Sequence, residues 1–186
     1  MQGMGTGSGA LVARMQGAAR LNPHTYEEVE RDTTATGQAA IVVVLAAVAA
    51  GIGSIRDEWV GGLIGGIFTG VIGWAFFAGI AFLIGTRLLA GAATSATWGQ
   101  LLRTLVLAYT PSLLAVFGFI PVLGPLLAFV GGVWFIVASV IALRHALDIS
   151  TGRAVAVGIL ASLAPIVLIA IVGLFGLTLY GIGSLF

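Results

Sequence analysis

Cysteine is absent from the 186 residues, which excludes disulfides, a thiolate nucleophile and a thiolate metal site. Lysine is absent as well, so all eight basic residues are arginine. Charge of either sign is scarce: 8% of residues carry it and the formal net charge is +1, which removes the electrostatic case for nucleic-acid binding. Histidine occurs twice, at His24 and His145. His145 and Asp148 stand three apart, a spacing that puts two metal ligands, or a base and its orienter, on one helix face. No third ligand accompanies them, and His24 with Glu27 and Glu28 is the same case. The sequence therefore offers no catalytic residue, no cofactor site and no metal site. The N-terminal stretch lacks the continuous apolar core of a secretory signal peptide, so insertion falls to the membrane helices themselves.

What is present is oil. Hydrophobic residues make up 59% of the chain, well outside ordinary globular usage. The stretch from Val60 to Thr86 runs 27 residues without a charge; as a helix it is about 40 Å long, against roughly 30 Å of hydrocarbon in a bilayer. Gly62, Gly66 and Gly70 recur every fourth residue along it, which leaves one side bare for close helix approach in lipid.

Four further apolar runs accompany it, and the expected architecture is all-α: a polytopic bundle with spans near residues 37–55, 60–86, 101–120, 126–143 and 154–180. Residues 1–34 form a cytoplasmic tail with a short helix, and residues 35–186 the membrane domain. Met1 to Ala10 are small and polar and are expected to be disordered. Leu11 to Leu21 have the pattern of a short amphipathic surface helix. Thr25 and Glu28 have capping-box spacing, as do Thr97 and Gln100, and each pair predicts a helix start. Arg56, Asp57 and Glu58 must be a loop, since burying three charges at mid-bilayer costs roughly 8 to 10 kcal/mol.

Five spans divide the loops into two sets holding seven arginines and one. That asymmetry predicts a cytoplasmic N-terminus and an external C-terminus. The three outward helices open on similar short polar entries, which helix capping explains. Apart from Arg103 near the start of the third, the spans contain none of the Asp, Glu, His or Arg residues that a transporter usually requires. The polar feature nearest a midplane is Tyr109, Thr110, Pro111 and Ser112. It reads either as a proline kink, with Thr110 and Ser112 satisfying the freed carbonyl of Leu107, or as a lipid or small-solute pocket. Pro165 with Ser162 repeats the device in the fifth span.

Several motifs together resemble a known family: Tyr26-Glu-Glu-Val-Glu-Arg-Asp32 followed by Ala35-Thr-Gly-Gln-Ala39, Trp98-Gly-Gln-Leu-Leu-Arg103, Tyr109-Thr-Pro111, and the stretch from Leu143 to Ala154. Their order around the apolar spans resembles the bacterial branch of the Yip (Ypt/Rab-interacting protein) domain family, from about Leu21 onward. The resemblance implies five helical spans and a cytoplasmic N-terminus. In eukaryotes it implies an association with prenylated Rab-type GTPases, vesicle traffic and membrane shaping. The N-terminal region here is shorter than the eukaryotic arms.

The expected interaction face is cytoplasmic. Tyr26, Glu27, Glu28, Glu30 and Asp32 approach the first span, while Arg87, Arg103, Arg144, His145, Asp148 and Arg153 ring the ends of the others. Attraction between them would fold the N-terminal helix across the bundle's end. The expectation is a non-enzymatic organiser, adaptor or accessory subunit in a bacterial inner membrane. Its partners would be membrane lipids and a protein or a second copy of itself. A small transporter or lipid-handling protein is the alternative.

Overall fold

The dipeptide Asn22-Pro23 makes the first decisive turn. Proline has no N–H to leave unsatisfied and its fixed φ suits a first helical turn, while the Asn22 side chain accepts from the His24 amide at 3.1 Å. Helix α2 (Pro23–Arg31) therefore starts at Pro23. This corrects the expectation that Thr25 heads the helix: Thr25 is buried inside it. Helix α1 (Ser8–Ala19) precedes it, reaching back into a stretch expected to be disordered, and Leu21 turns the chain with φ of 57°. Gly17 permits the tight α1–α2 approach, because a Cβ there would overlap the Thr25 side chain.

This computed structural model describes residues 7–54, 60–92 and 94–183, apart from the side chains of residues 60–63, 66, 67, 69 and 168–183. After α2 come α3 (Ala35–Gly53), α4 (Val60–Leu83) running into a π turn (Ile84–Leu88), and α5 (Trp98–Ala108). A 3-10 segment (Thr110–Phe119), α6 (Leu123–Ala146) and α7 (Thr151–Gly183) complete the chain. Among the described residues every regular element is helical. The Arg56–Glu58 loop lies outside the described residues.

Three segments, α3, Gly70–Leu88 and α6, are long and apolar enough to cross a membrane. A fourth arises if α5 and the 3-10 segment, bent by 42°, count as one broken span. The described part of α7, Thr151–Val167, is apolar but shorter. The chain is thus a polytopic, all-helical membrane bundle.

The bend falls inside the expected helix over 101–120, at the kink that Pro111 predicts. Pro111 lacks an N–H and crowds the turn before it, so α5 stops at Ala108 and the chain tightens. Tyr109 N donates to Val106 O at 3.0 Å and Ser112 N to Tyr109 O at 2.9 Å. The fourth helix also starts earlier than predicted, at Leu123, with Pro125 tolerated in its first turn.

Helix α5 is the innermost element, with Leu101 and every residue from Arg103 to Ala108 buried. Around it pack Tyr26 and Val29 of α2 and Ala78 and Ala81 of α4, and the same core continues to Ala154, Val157 and Ala161 of α7, which packs on α6 and α4. Helix α6 presents a stripe of small residues inward: Gly124, Gly131, Ala138, Ser139, Ala142 and Ala146 are all buried. Lipid tails solvate a leucine as well as a neighbouring helix does, so association rests on close contact, and small residues allow it. The tightest crossing is at the opposite end from α1. A Cβ on Gly53 would overlap the Ala115 carbonyl, and one on Gly118 would come within 2.8 Å of Gly53 O.

On α4, Gly70 lies against Ala47 of α3, where a Cβ would make ordinary contact at 3.4 Å. Gly62 and Gly66 lie outside the described side chains. Gly65 and Gly73 face open space, and Ile64, Phe68, Ile72 and Phe76 point outward beside them.

Candidate functional site

The polar side chains gather where α1, α2 and the starts of α3, α5 and α7 meet the end of α6. At the centre is Arg14 of α1, only 5% exposed. Each of its three nitrogens donates. Nε and Nη2 donate to Glu28 Oε1 at 3.1 and 3.0 Å, Nη2 to Asp32 Oδ2 at 2.6 Å, and Nη1 to Gln38 Oε1 at 2.6 Å. One planar fork thereby ties α1 to α2, to the α2–α3 corner and to α3, a task that suits arginine's rigid array of donors. Burial alone would lower the Arg14 pKa, but the bonds and charges of Asp32 and Glu28 reverse the sign and raise it.

Asp32 is buried as well. Its Oδ1 accepts from the Thr34 hydroxyl at 2.5 Å and the Thr34 amide at 2.9 Å, the local turn that aspartate side chains favour. The Thr34 hydroxyl first, and Arg14 after it, outweigh burial and hold the Asp32 carboxyl below the usual range.

Arg103 of α5, also buried, donates from Nε to Val29 O at 3.3 Å and from Nη2 to Glu30 O at 2.8 Å. These carbonyls lie in the last turn of α2, where the helix has no partner of its own for them, and a cation there also meets the negative end of the helix dipole. Next to Arg103, Gln100 donates to Glu30 Oε1 at 3.3 Å. Gln100 also closes the predicted capping box: its amide donates to Thr97 Oγ1 at 3.3 Å, and its Oε1 accepts from Thr97 N at 2.7 Å. Burial, and then the Asp148 charge, push the Glu30 carboxyl above its ordinary value.

The predicted interaction residues divide by burial. Tyr26 is completely buried, its hydroxyl donating to Ala18 O at 3.4 Å, and burial pushes its phenol up. With Asp32 and Arg103 it belongs to the joint between the N-terminal arm and the bundle. Glu27, Glu30 and His145 are half-buried, while Glu28, Arg87, Arg144, Asp148 and Arg153 are exposed. His145 pairs with Glu27 at 3.4 Å rather than with Asp148, which sits past the end of α6 with φ of 50°. Arg153 donates to Ala90 O at 3.3 Å. Arg87 and Arg144 make no ion pair among the described residues. Among those residues, too, no three of the His, Asp and Glu side chains converge as a metal site would need.

Arg14 is the functional residue that sequence reasoning missed. Its partners lie 14 to 24 positions away, and only their convergence reveals it. The visible signal was an arginine on an otherwise apolar helix beside four acidic residues of α2 and its end.

The Tyr109–Ser112 group is split by the bend. Tyr109 and Ser112 face α3 and α4, bordering a cavity of about 180 Å³ with Val43, Ala46, Ala47 and Gly70. Thr110 and Pro111 face the other way, into a cavity of about 430 Å³ beside Trp134 of α6. The Thr110 hydroxyl does not reach the Leu107 carbonyl and has no hydrogen-bond partner among the described residues. Ser162, expected to relieve Pro165, donates to Gly158 O at 2.8 Å.

Comparison with known proteins matches the Yip1 domain family over residues 21–183. No curated protein and no solved structure matches the chain. The chain belongs to the Yip1 domain family.

Proposed function

We propose that this Yip1-domain membrane protein is a non-enzymatic organiser or adaptor, docking a partner protein on the polar end of its bundle. One observation carries the reading. The buried charges Arg14, Asp32 and Arg103 are consumed by bonds within the chain, whereas Arg87 and Arg144 stand exposed without an ion pair among the described residues. The first group fixes the α1–α2 arm across the end; the second is left for contacts outside the chain. The matched family region begins at Leu21, so the arm's anchor, Arg14, is supplied from outside it.

The seven-to-one arginine asymmetry supports a cytoplasmic position for this end, in a bacterial inner membrane. The glycine ridge of α4, Gly62, Gly66 and Gly70, is the surface we assign to helix packing, with Gly70 used against Ala47 of α3 and the open Gly65 and Gly73 left for self-association.

The test is co-purification from native membranes in mild detergent, comparing wild type with the Arg87→Glu, Arg144→Glu double variant. Both positions are exposed, so folding should survive. Loss of the co-purifying protein is expected; equal recovery with the variant would sink the docking reading. A second reading, a small transporter or lipid-handling protein, is favoured by the unpartnered Thr110 hydroxyl beside an apolar cavity.

A further inference from the structure

Two apolar cavities adjoin at Trp134 of α6, one walled mainly by the 3-10 segment and the other by α6 itself. One, of about 430 Å³, runs from Ala19 at the end of α1 past Thr110 and Leu114 to Phe117. The other, of about 340 Å³, runs from Leu21 along Phe129, Val133 and Val137. Trp134 lines both and forms the wall between them. Each is the size of a cleft that takes a substantial ligand, about 300 to 1,000 Å³, and each is apolar along its length.

Two polar features break that apolarity, and both lie where the cavities begin. Thr110 is 9% exposed and its hydroxyl has no partner. An orphaned buried donor in an apolar setting is costly, and this one borders the larger cavity. Between Ala19 and Leu21, which open the two cavities, stands Arg20, exposed and without an ion pair among the described residues.

We infer that these cavities hold one anionic diacyl phospholipid drawn from the bilayer. The two acyl chains lie in the two clefts on either side of Trp134. The Thr110 hydroxyl donates to an ester carbonyl oxygen, which ends its orphan state. Arg20 meets the phosphate. The chemistry is that of a lipid because three requirements coincide: two adjoining apolar channels, an unpartnered donor in the wall of one, and a cation between the residues that open them. α6, which is long and apolar enough to cross a membrane, lines the smaller channel and touches the larger through Trp134. This site lies apart from the partner-docking end and stands whether or not a partner is found there.

The test uses the whole chain in nanodiscs of phosphatidylcholine containing one part in ten phosphatidylglycerol with the same acyl chains. After extraction into detergent, native mass spectrometry reads the lipids that remain bound. Wild type should retain one phosphatidylglycerol per chain, enriched over its share of the bilayer. Arg20→Gln should lower that retention about fivefold, the factor one basic residue supplies near anionic lipid, while phosphatidylcholine retention is unchanged. Thr110→Val, which keeps the side-chain shape, should lower retention of either lipid about threefold. Retention in proportion to the bulk mixture, or retention that Arg20→Gln leaves unchanged, would overturn the inference. Arg20 is exposed and decides the matter even if the Thr110 variant does not fold.

Discussion

Replacing Arg14 with methionine keeps the apolar stem of the side chain and removes its charge and all its donors. Four hydrogen bonds are lost, but they are not equivalent. Glu28 is 45% exposed on its side chain, so water replaces Arg14 there and that pair contributes at most about 1 kcal/mol. Asp32 is different: its side chain is 7% exposed, and the variant leaves a buried carboxylate without its cation. Breaking a buried pair on one side costs about 3 to 5 kcal/mol. The low end applies here, because Thr34 still donates twice to Asp32. About 3 kcal/mol, at 1.4 kcal/mol per decade, corresponds to roughly a hundredfold rise in the open population of α1. Amide hydrogen exchange at pH 7 reads that population directly. Amides of Ser8–Ala19 should exchange about a hundredfold faster in Arg14→Met, with α5 and α6 unaffected. Asp32→Asn should reproduce most of the effect and Glu28→Gln little of it. A change under threefold in Arg14→Met, or equal effects of the two acidic substitutions, would refute the reasoning.

Two further outcomes follow from the same geometry. Glu30 has a folded pKa raised by burial and Asp148, so its ionised form opposes folding at neutral pH. Stability should therefore rise as pH falls through the raised value and level off below the ordinary glutamate value of about 4.3; a thermal-unfolding pH series that is flat, or that Glu30→Gln leaves unchanged, would contradict this. Asp32 has the opposite sign, and its contribution persists until the pH drops below the ordinary aspartate range. In the bundle, Gly53→Ala drives a methyl into the Ala115 carbonyl and should cost about 1 to 3 kcal/mol. Gly65→Ala meets open space and should stabilise α4 by up to about 1 kcal/mol in the same unfolding assay.

Much of the architecture was readable because lipid simplifies the code. Uncharged length marked the helices, and Pro111 marked the break in the third span. Thr97 and Gln100 marked a helix start that the hydrogen bonds reproduce. What was hidden depended on partners distant in sequence. The glycine repeat of α4 drew attention, yet the inward stripe of small residues among the described side chains is on α6, written in alanine, glycine and serine and spread over 23 residues. Spacing alone does not tell which face of a uniformly apolar helix turns inward. Thr25 had the chemistry of a helix cap but lost to Asn22, because the proline between them had already set the first turn. Charges misled in a similar way: Arg103 looked available for a carboxylate, whereas the free carbonyls of α2 claim it.

The central claim is that the polar end, with its exposed arginines, faces the cell interior while the turn before α6 faces out. The chain has no cysteine, so single-cysteine variants report without background. Val122, 85% exposed in that turn, and Ser95, exposed between α4 and α5, mark the two sides. In spheroplasts treated with a membrane-impermeant maleimide, Val122→Cys should label at once and Ser95→Cys only after permeabilisation. Labelling of Ser95→Cys in intact spheroplasts would contradict the account.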